Sequence, residues 1–165
     1  FKYEIALGDK NSEVTLYEGS FGPIDDYAHT TFDIEDKYDI KVNTKIKVNM
    51  QTLKKFAKKN NINKNPLLMY IDTEGCDLQV LLGNDFKLLQ PHIIITEWHS
   101  CSSLINSRYL DTKTQNEDKH KLLVQNNYLY CKRFGCNDVY ILKPPGFNKP
   151  SITPDFNQHY FPTKK

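Results

Sequence analysis

Apolar and polar residues alternate from the first position onward: Phe1, Tyr3, Ile5 and Leu7 on one side, Lys2, Glu4 and Ala6 on the other. Period two marks a strand with one buried face, so residues 1–8 predict a strand, and the cluster at 8–12 predicts a turn. Residues 14–17 predict a second, short strand, broken by Gly19 and Pro23. The period then fades. Residues 25–43 are polar and acidic with isolated aromatics (Tyr27, Phe32, Tyr38) and predict a long loop, a candidate lid. Residues 45–48 predict another short strand. Met50, Leu53, Phe56 and Ala57 then recur at helical spacing. They predict a helix over 50–60 with Asn49 as its cap. Lys54, Lys55, Lys58 and Lys59 lie off the apolar face and read as a solvated surface.

Two later runs are apolar without alternation, 67–72 after Pro66 and 92–96 after Pro91. Strands buried on both faces read this way, as in a parallel sheet covered by helices. Each run ends in acid: Asp72-Thr73-Glu74-Gly75 and Glu97-Trp98-His99. A helix is expected over 76–82 with Leu78, Leu81 and Leu82 inward, a second near 102–109, and a third over 118–126. Two strands close the pattern, 128–134 and 138–142, turning at Gly135-Cys136-Asn137. Buried strands alternating with helices predict an α/β fold, its sheet mostly parallel with an antiparallel edge from the closing pair. Residues 1–142 read as one domain. Residues 143–165 hold five of the eight prolines together with Phe147, Phe156, Tyr160 and Phe161. They predict an extended arm lying on the domain or on a partner.

Composition narrows the function classes. The 165 residues carry 22 basic and 20 acidic side chains, a net charge of +2, and Arg108 and Arg133 are the only arginines. Nucleic-acid readers show a basic excess and arginine forks, so no nucleic-acid partner is expected. No apolar run approaches the roughly 18 residues of a membrane span, so no membrane insertion is expected. Cys76, Cys101, Cys131 and Cys136 are too scattered for a disulfide scaffold, which suits a reducing compartment and points to the cytoplasm. Cys131 and Cys136 without a second ligand pair make a poor zinc site.

Candidate chemistry gathers where the apolar runs end. Ligands of open α/β sheets sit beyond the carboxyl ends of the strands. Asp72 and Glu97 on neighbouring strand ends would face one crevice, with His99 two residues further on. Such a set can ligate a divalent metal or take a proton from a hydroxyl. The competing reading for Asp72 and Glu74 is capping of the helix that follows. Trp98 fits a pocket wall and a core aromatic equally.

These residues carry a resemblance. The segment 67–83, LLMYIDTEGCDLQVLLG, resembles the core signature of the FkbM-type methyltransferase family, in which a strand ends in Ile-Asp-x-Glu-Gly and a helix closes on glycine. Ile71, Asp72, Glu74, Gly75, Val80 and Gly83 fill those places. VNMQTLKKF at 48–56, PHIIITE at 91–97, Ala6 to Gly8 with Asp9 to Leu16, and Asn127-Tyr128 resemble the family's flanking segments in order. The resemblance covers about residues 5–142. It implies a Rossmann-like class I methyltransferase sheet and S-adenosylmethionine as cofactor. The acceptor would be a hydroxyl of a sugar or another small molecule. On that reading Asp72 and His99 are catalytic, His99 as general base. Glu74, Glu97 and Trp98 bind substrate or cofactor, and Asp72 and Glu97 hold a metal such as magnesium.

The sequence also departs from the family. Lys54 stands where the family has aspartate, and Asp77 where it has glutamate. No glycine-rich Asp-x-Gly-x-x-x-Gly loop is present to bring backbone amides to the cofactor. The chain therefore resembles the carboxyl-terminal two thirds of the fold, lacking its first strands. Another domain or subunit is expected to complete the sheet, whose open edge would expose apolar surface. The alternative function is a non-catalytic scaffold or interaction domain. A hydrolase on the same acids is weaker, because no Gly-x-Ser-x-Gly elbow occurs.

Overall fold

The computed structural model describes residues 2–21, 27–30, 40–62, 65–73, 76–98 and 112–156. The chain divides into two compact units, Phe1–Ile62 with Thr73–Asp85, and Asn63–Asp72 with Phe86–Lys165.

The first unit is a four-stranded sheet in the order β1-β4-β2-β3. Its strands are β1 (Ala6–Gly8), β2 (Ser12–Phe21), β3 (Tyr27–Thr30) and β4 (Ile40–Thr52), and it carries helices α1 (Leu53–Lys59) and α2 (Asp77–Leu82). β2 and β4 run antiparallel with Val14 opposite Val48 and Leu16 opposite Ile46. That register stacks apolar side chains on one face. Glu13 and Lys47 form an exposed ion pair at 2.9 Å. β1 joins parallel to the last residues of β4, Ala6 opposite Met50 and Gly8 opposite Thr52. This pairing holds Met50–Thr52 extended and corrects the expected helix start. The cap is Thr52 rather than Asn49, its Oγ1 accepting from the Lys55 N–H at 3.1 Å. The predicted short strand at 45–48 is the middle of a much longer β4, and the predicted 1–8 strand shortens to β1. Within the expected long loop, Tyr27–Thr30 and the start of β4 are strands; residues 31–39, with Phe32 and Tyr38, lie outside the described residues.

Two glycines of the family-like segments meet in this unit. A Cβ on Gly83 would sit 2.0 Å from the Gly8 carbonyl oxygen. The Gly83 carbonyl in turn accepts the Lys54 N–H at 3.0 Å. The end of α2 thus rests on β1 and satisfies one orphan donor at the start of α1. On α2 the buried residues are Asp77, Val80 and Leu81; Leu82, expected inward, is exposed.

The second unit is a sheet in the order β5-β6-β8-β7. It is built from β5 (Leu68–Ile71), β6 (Ile93–Glu97), β7 (Tyr128–Phe134) and β8 (Asn137–Leu142), with α3 (Thr112–Gln125). β5 and β6 are parallel, whereas β6 with β8 and β7 with β8 are antiparallel. Both sheets are mixed, and antiparallel ladders outnumber parallel ones. The expectation of a mostly parallel sheet is therefore overturned, while the α/β class stands. The closing pair does form an antiparallel edge, with β7 as the outer strand. β8 inserts between β6 and β7, because the tight Gly135-Cys136 turn returns the chain along β7 and leaves β8 the place beside β6.

α3 covers one face of this sheet. Ile94, Thr96, Tyr128, Asp138 and Tyr140 are buried there, against Asn116, Lys119, His120 and Leu123 of the helix. Among the described residues the opposite face is uncovered along β5, where Leu68 and Tyr70 are half-exposed and Leu67 is 72% exposed. β5 is thus an edge strand, not one buried on both faces. Among the described residues no helix is long and apolar enough to cross a membrane.

Candidate functional site

The register that sets Ile71 opposite Thr96 carries Asp72 and Glu97 to neighbouring positions at the ends of β5 and β6. Side chains alternate along a strand, so both acids fall on the face opposite Ile94 and Thr96, away from α3. Asp72 is exposed and accepts a hydrogen bond from Tyr70 Oη at 2.9 Å. Glu97 is half-buried, and its backbone carbonyl accepts from Lys119 Nζ. Glu74 and His99 lie outside the described residues. The start of α2 is occupied by a different acid, Asp77. It is 1% exposed and accepts from the Thr73 N–H at 3.0 Å and Thr73 Oγ1 at 2.6 Å.

Trp98 turns to the other face. Its indole is 3% exposed, beneath the Arg133 guanidinium at 3.4 Å from the ring centroid and stacked with Phe156 at 5.9 Å. The Trp98 backbone N–H donates to the Cys136 carbonyl. Arg133 grips Asp138 with both arms of its fork, Nε to Oδ1 at 2.8 Å and an Nη to Oδ2 at 3.2 Å. Both side chains are buried, the setting in which a planar, two-pronged pair is strongest.

Around this pair lie His120, Tyr130 and Tyr140. The His120 ring packs edge-on to Tyr130 and Phe156, and Nδ1 lies 3.3 Å from Tyr140 Oη. Burial holds the imidazole below its ordinary range, with Asp138 pulling the other way. Burial, helped by Asp138, pushes the Tyr130 hydroxyl up to about 12. Burial raises Tyr140 further still. The two tyrosines keep their protons and the imidazole stays uncharged, so all three act as neutral hydrogen-bonding partners near neutral pH.

Sequence reasoning missed Lys119, His120, Arg133 and Asp138. A signal was present: Asn116, Lys119, His120 and Leu123 follow one helical stripe, and three of the four are polar. A search for apolar periodicity passes over such a stripe.

The described residues do not furnish a cofactor cradle. Gly8 and Gly83 spend their missing side chains on each other and on Met50, whose sulfur a Cβ on Gly8 would meet at 2.4 Å. Gly135 and Gly146 are turn residues with positive φ. Among the described residues no three His, Cys, Asp or Glu side chains converge as a metal site, so the magnesium expectation finds no support. A groove of about 720 Å³ in the first unit is lined by Asn11, Asn49, Gln51, Lys55 and Lys59, among others, and by none of Asp72, Glu97 or Trp98.

Compared with known proteins, residues 2–130 match the family model described as the methyltransferase FkbM domain. No curated protein and no solved structure matches the chain.

Proposed function

The chain belongs to the FkbM methyltransferase family, and from that premise we propose that it forms the acceptor side of an S-adenosylmethionine-dependent O-methyltransferase acting on a hydroxyl of a sugar or another small molecule. The observation that carries this reading is the β5–β6 register, which aligns Asp72 and Glu97 on one face at the carboxyl ends of two parallel strands. A parallel pair joined through a connection that carries a helix is also the unit from which Rossmann-like sheets are built.

Methyl transfer to an alcohol demands two things of the protein. The acceptor oxygen must be aligned, and its proton must be removed. Asp72 and Glu97 accept hydrogen bonds from the acceptor's hydroxyls and fix its orientation. His99, two residues past Glu97, takes the proton. Glu74 orients the loop after β5, and Trp98 anchors the corner beside Glu97. The cofactor supplies an electrophilic methyl group. The described residues hold no cradle for it. The open edge of β5 favours completion of the sheet by another domain or subunit. Exposed thiols at Cys131 and Cys136 suit the cytoplasm.

The test is methyl transfer from labelled S-adenosylmethionine to a panel of sugars, with the protein as isolated from its source. Asp72→Asn and Glu97→Gln are each expected to cut turnover at least tenfold. Full activity in both variants overturns the assignment. The second reading, a non-catalytic scaffold, is favoured by the absence of a cradle among the described residues. It predicts no turnover and no cofactor binding in that same preparation.

A further inference from the structure

The groups that hold Trp98 come from beyond the stretch that matches the family. That match ends at residue 130, whereas Arg133, Asp138 and Phe156 all follow it. The segment after β8 doubles back along β7. Ser151 Oγ accepts the Tyr130 N–H at 2.8 Å, the Asp155 carbonyl accepts from Arg133 at 3.4 Å, and Phe156 closes on Trp98 at an interplanar angle of 23°. Pro154 is buried in this path. Proline-rich chain loses little entropy on being laid down in one conformation, so a few contacts suffice to hold it.

We propose that residues 143–156 are a strap that positions the end of β6, with Phe156 and Arg133 as positioning residues for Glu97. Trp98 and Glu97 are neighbours on opposite faces of one strand end. Clamping the indole on the α3 side fixes the backbone from which the carboxylate projects on the other. Three ties converge on this corner: the ring contacts of Trp98, the Trp98 backbone N–H to Cys136 and Lys119 on the Glu97 carbonyl. The strap supplies Phe156, and through Asp155 it braces the arginine over the same ring.

The catalytic consequence rests on the proposed methyl transfer; the strap itself does not. The chain has a single tryptophan, so tryptophan emission, excited selectively beyond the tyrosine band, reports on this corner alone. Phe156→Ala is expected to shift Trp98 emission to longer wavelength. Amide hydrogen exchange across residues 96–98 should rise at least tenfold, while α1 and the β2–β4 ladder keep their exchange rates. Phe156→Tyr, which keeps the stacked ring, should restore both signals, and Phe156→Leu should restore them only in part. Unchanged exchange at 96–98 in Phe156→Ala overturns the strap whatever the turnover. In the active protein, Phe156→Ala should raise the acceptor KM at least fivefold and lower kcat by less than Glu97→Gln does, because the carboxylate is displaced rather than removed. An unchanged KM with loosened exchange overturns the positioning role while the methyl-transfer reading stands. Absence of turnover in the unaltered protein defeats that reading, and exchange alone then decides the strap.

Discussion

At the scale of single residues, the buried Arg133–Asp138 pair is the most exacting feature. Breaking such a pair by removing one partner strands a charge in the interior, which costs about 3–5 kcal/mol, whereas replacing both with apolar groups is often neutral. Asp138→Ala is therefore expected to lose about 3–5 kcal/mol in urea denaturation, and Arg133→Met with Asp138→Leu to recover most of that loss. Equal destabilisation of the single and double variants would show that packing, not charge, dominates. Gly83 presents a steric limit of another kind. With the Gly8 carbonyl 2.0 Å from where its Cβ would lie, backbone must move, and Gly83→Ala should cost about 3 kcal/mol, the upper end of overpacking penalties. His120 ties stability to pH. Its folded pKa lies below the ordinary 6.5 because burial disfavours the cation. The unfolded chain therefore binds the proton first. Stability is full above pH 6.5 and is lost as pH falls through the depressed folded value. The melting temperature should drop between pH 7.5 and 5.5, and His120→Gln should shrink that drop.

At the scale of elements, β5 carries the clearest liability. Leu68 and Tyr70 are half-exposed on an edge strand, and apolar edges template association. Sedimentation velocity of the chain should show growing species as concentration rises, and Leu68→Lys should suppress them. Identical behaviour of variant and wild type would place the association elsewhere. The same strand shows what was readable beforehand. Its apolar run located β5 and β6, because buried pairing demands such side chains whatever the topology. It also implied cover on both faces, which burial inside one sheet cannot guarantee at an edge. β7 matched its predicted bounds, since Tyr128 and Phe134 are bracketed by Asn127 at positive φ and the Gly135 turn. The start of α1 is not legible locally: Met50 stands at helical spacing from Leu53, yet Met50–Thr52 is held extended by β1, a partner distant in sequence. Asp72 and Glu97 were legible as strand-end acids. The polar layer between α3 and β8 is not, because the helical stripe through Lys119 and His120 is polar and a search for apolar periodicity passes over it.

At the scale of the molecule, the question is whether these residues contain a cofactor pocket. Linkage gives the answer a magnitude. A ligand at a hundred times its Kd stabilises the folded state by about 2.7 kcal/mol, and for a chain of this size that raises Tm by about 5–10 °C. A cofactor held at 10 μM affinity and supplied at 1 mM would produce such a shift. Gly8 and Gly83 are committed to close packing and Gly135 and Gly146 to turns, and the sequence carries no Asp-x-Gly-x-x-x-Gly loop. S-adenosylmethionine at 1 mM should therefore move the Tm of this 165-residue chain by less than about 1 °C, the value left when binding is weaker than millimolar. A shift of several degrees would locate the pocket within these residues and make a completing domain unnecessary. No shift in the isolated chain, together with a clear shift in the protein from its source, would mean that the cofactor is held elsewhere and that Asp72 and Glu97 face it from the acceptor side. Adding Glu97→Gln to that second measurement separates the roles further. A carboxylate that orients only the acceptor should leave the cofactor-induced shift intact while turnover falls.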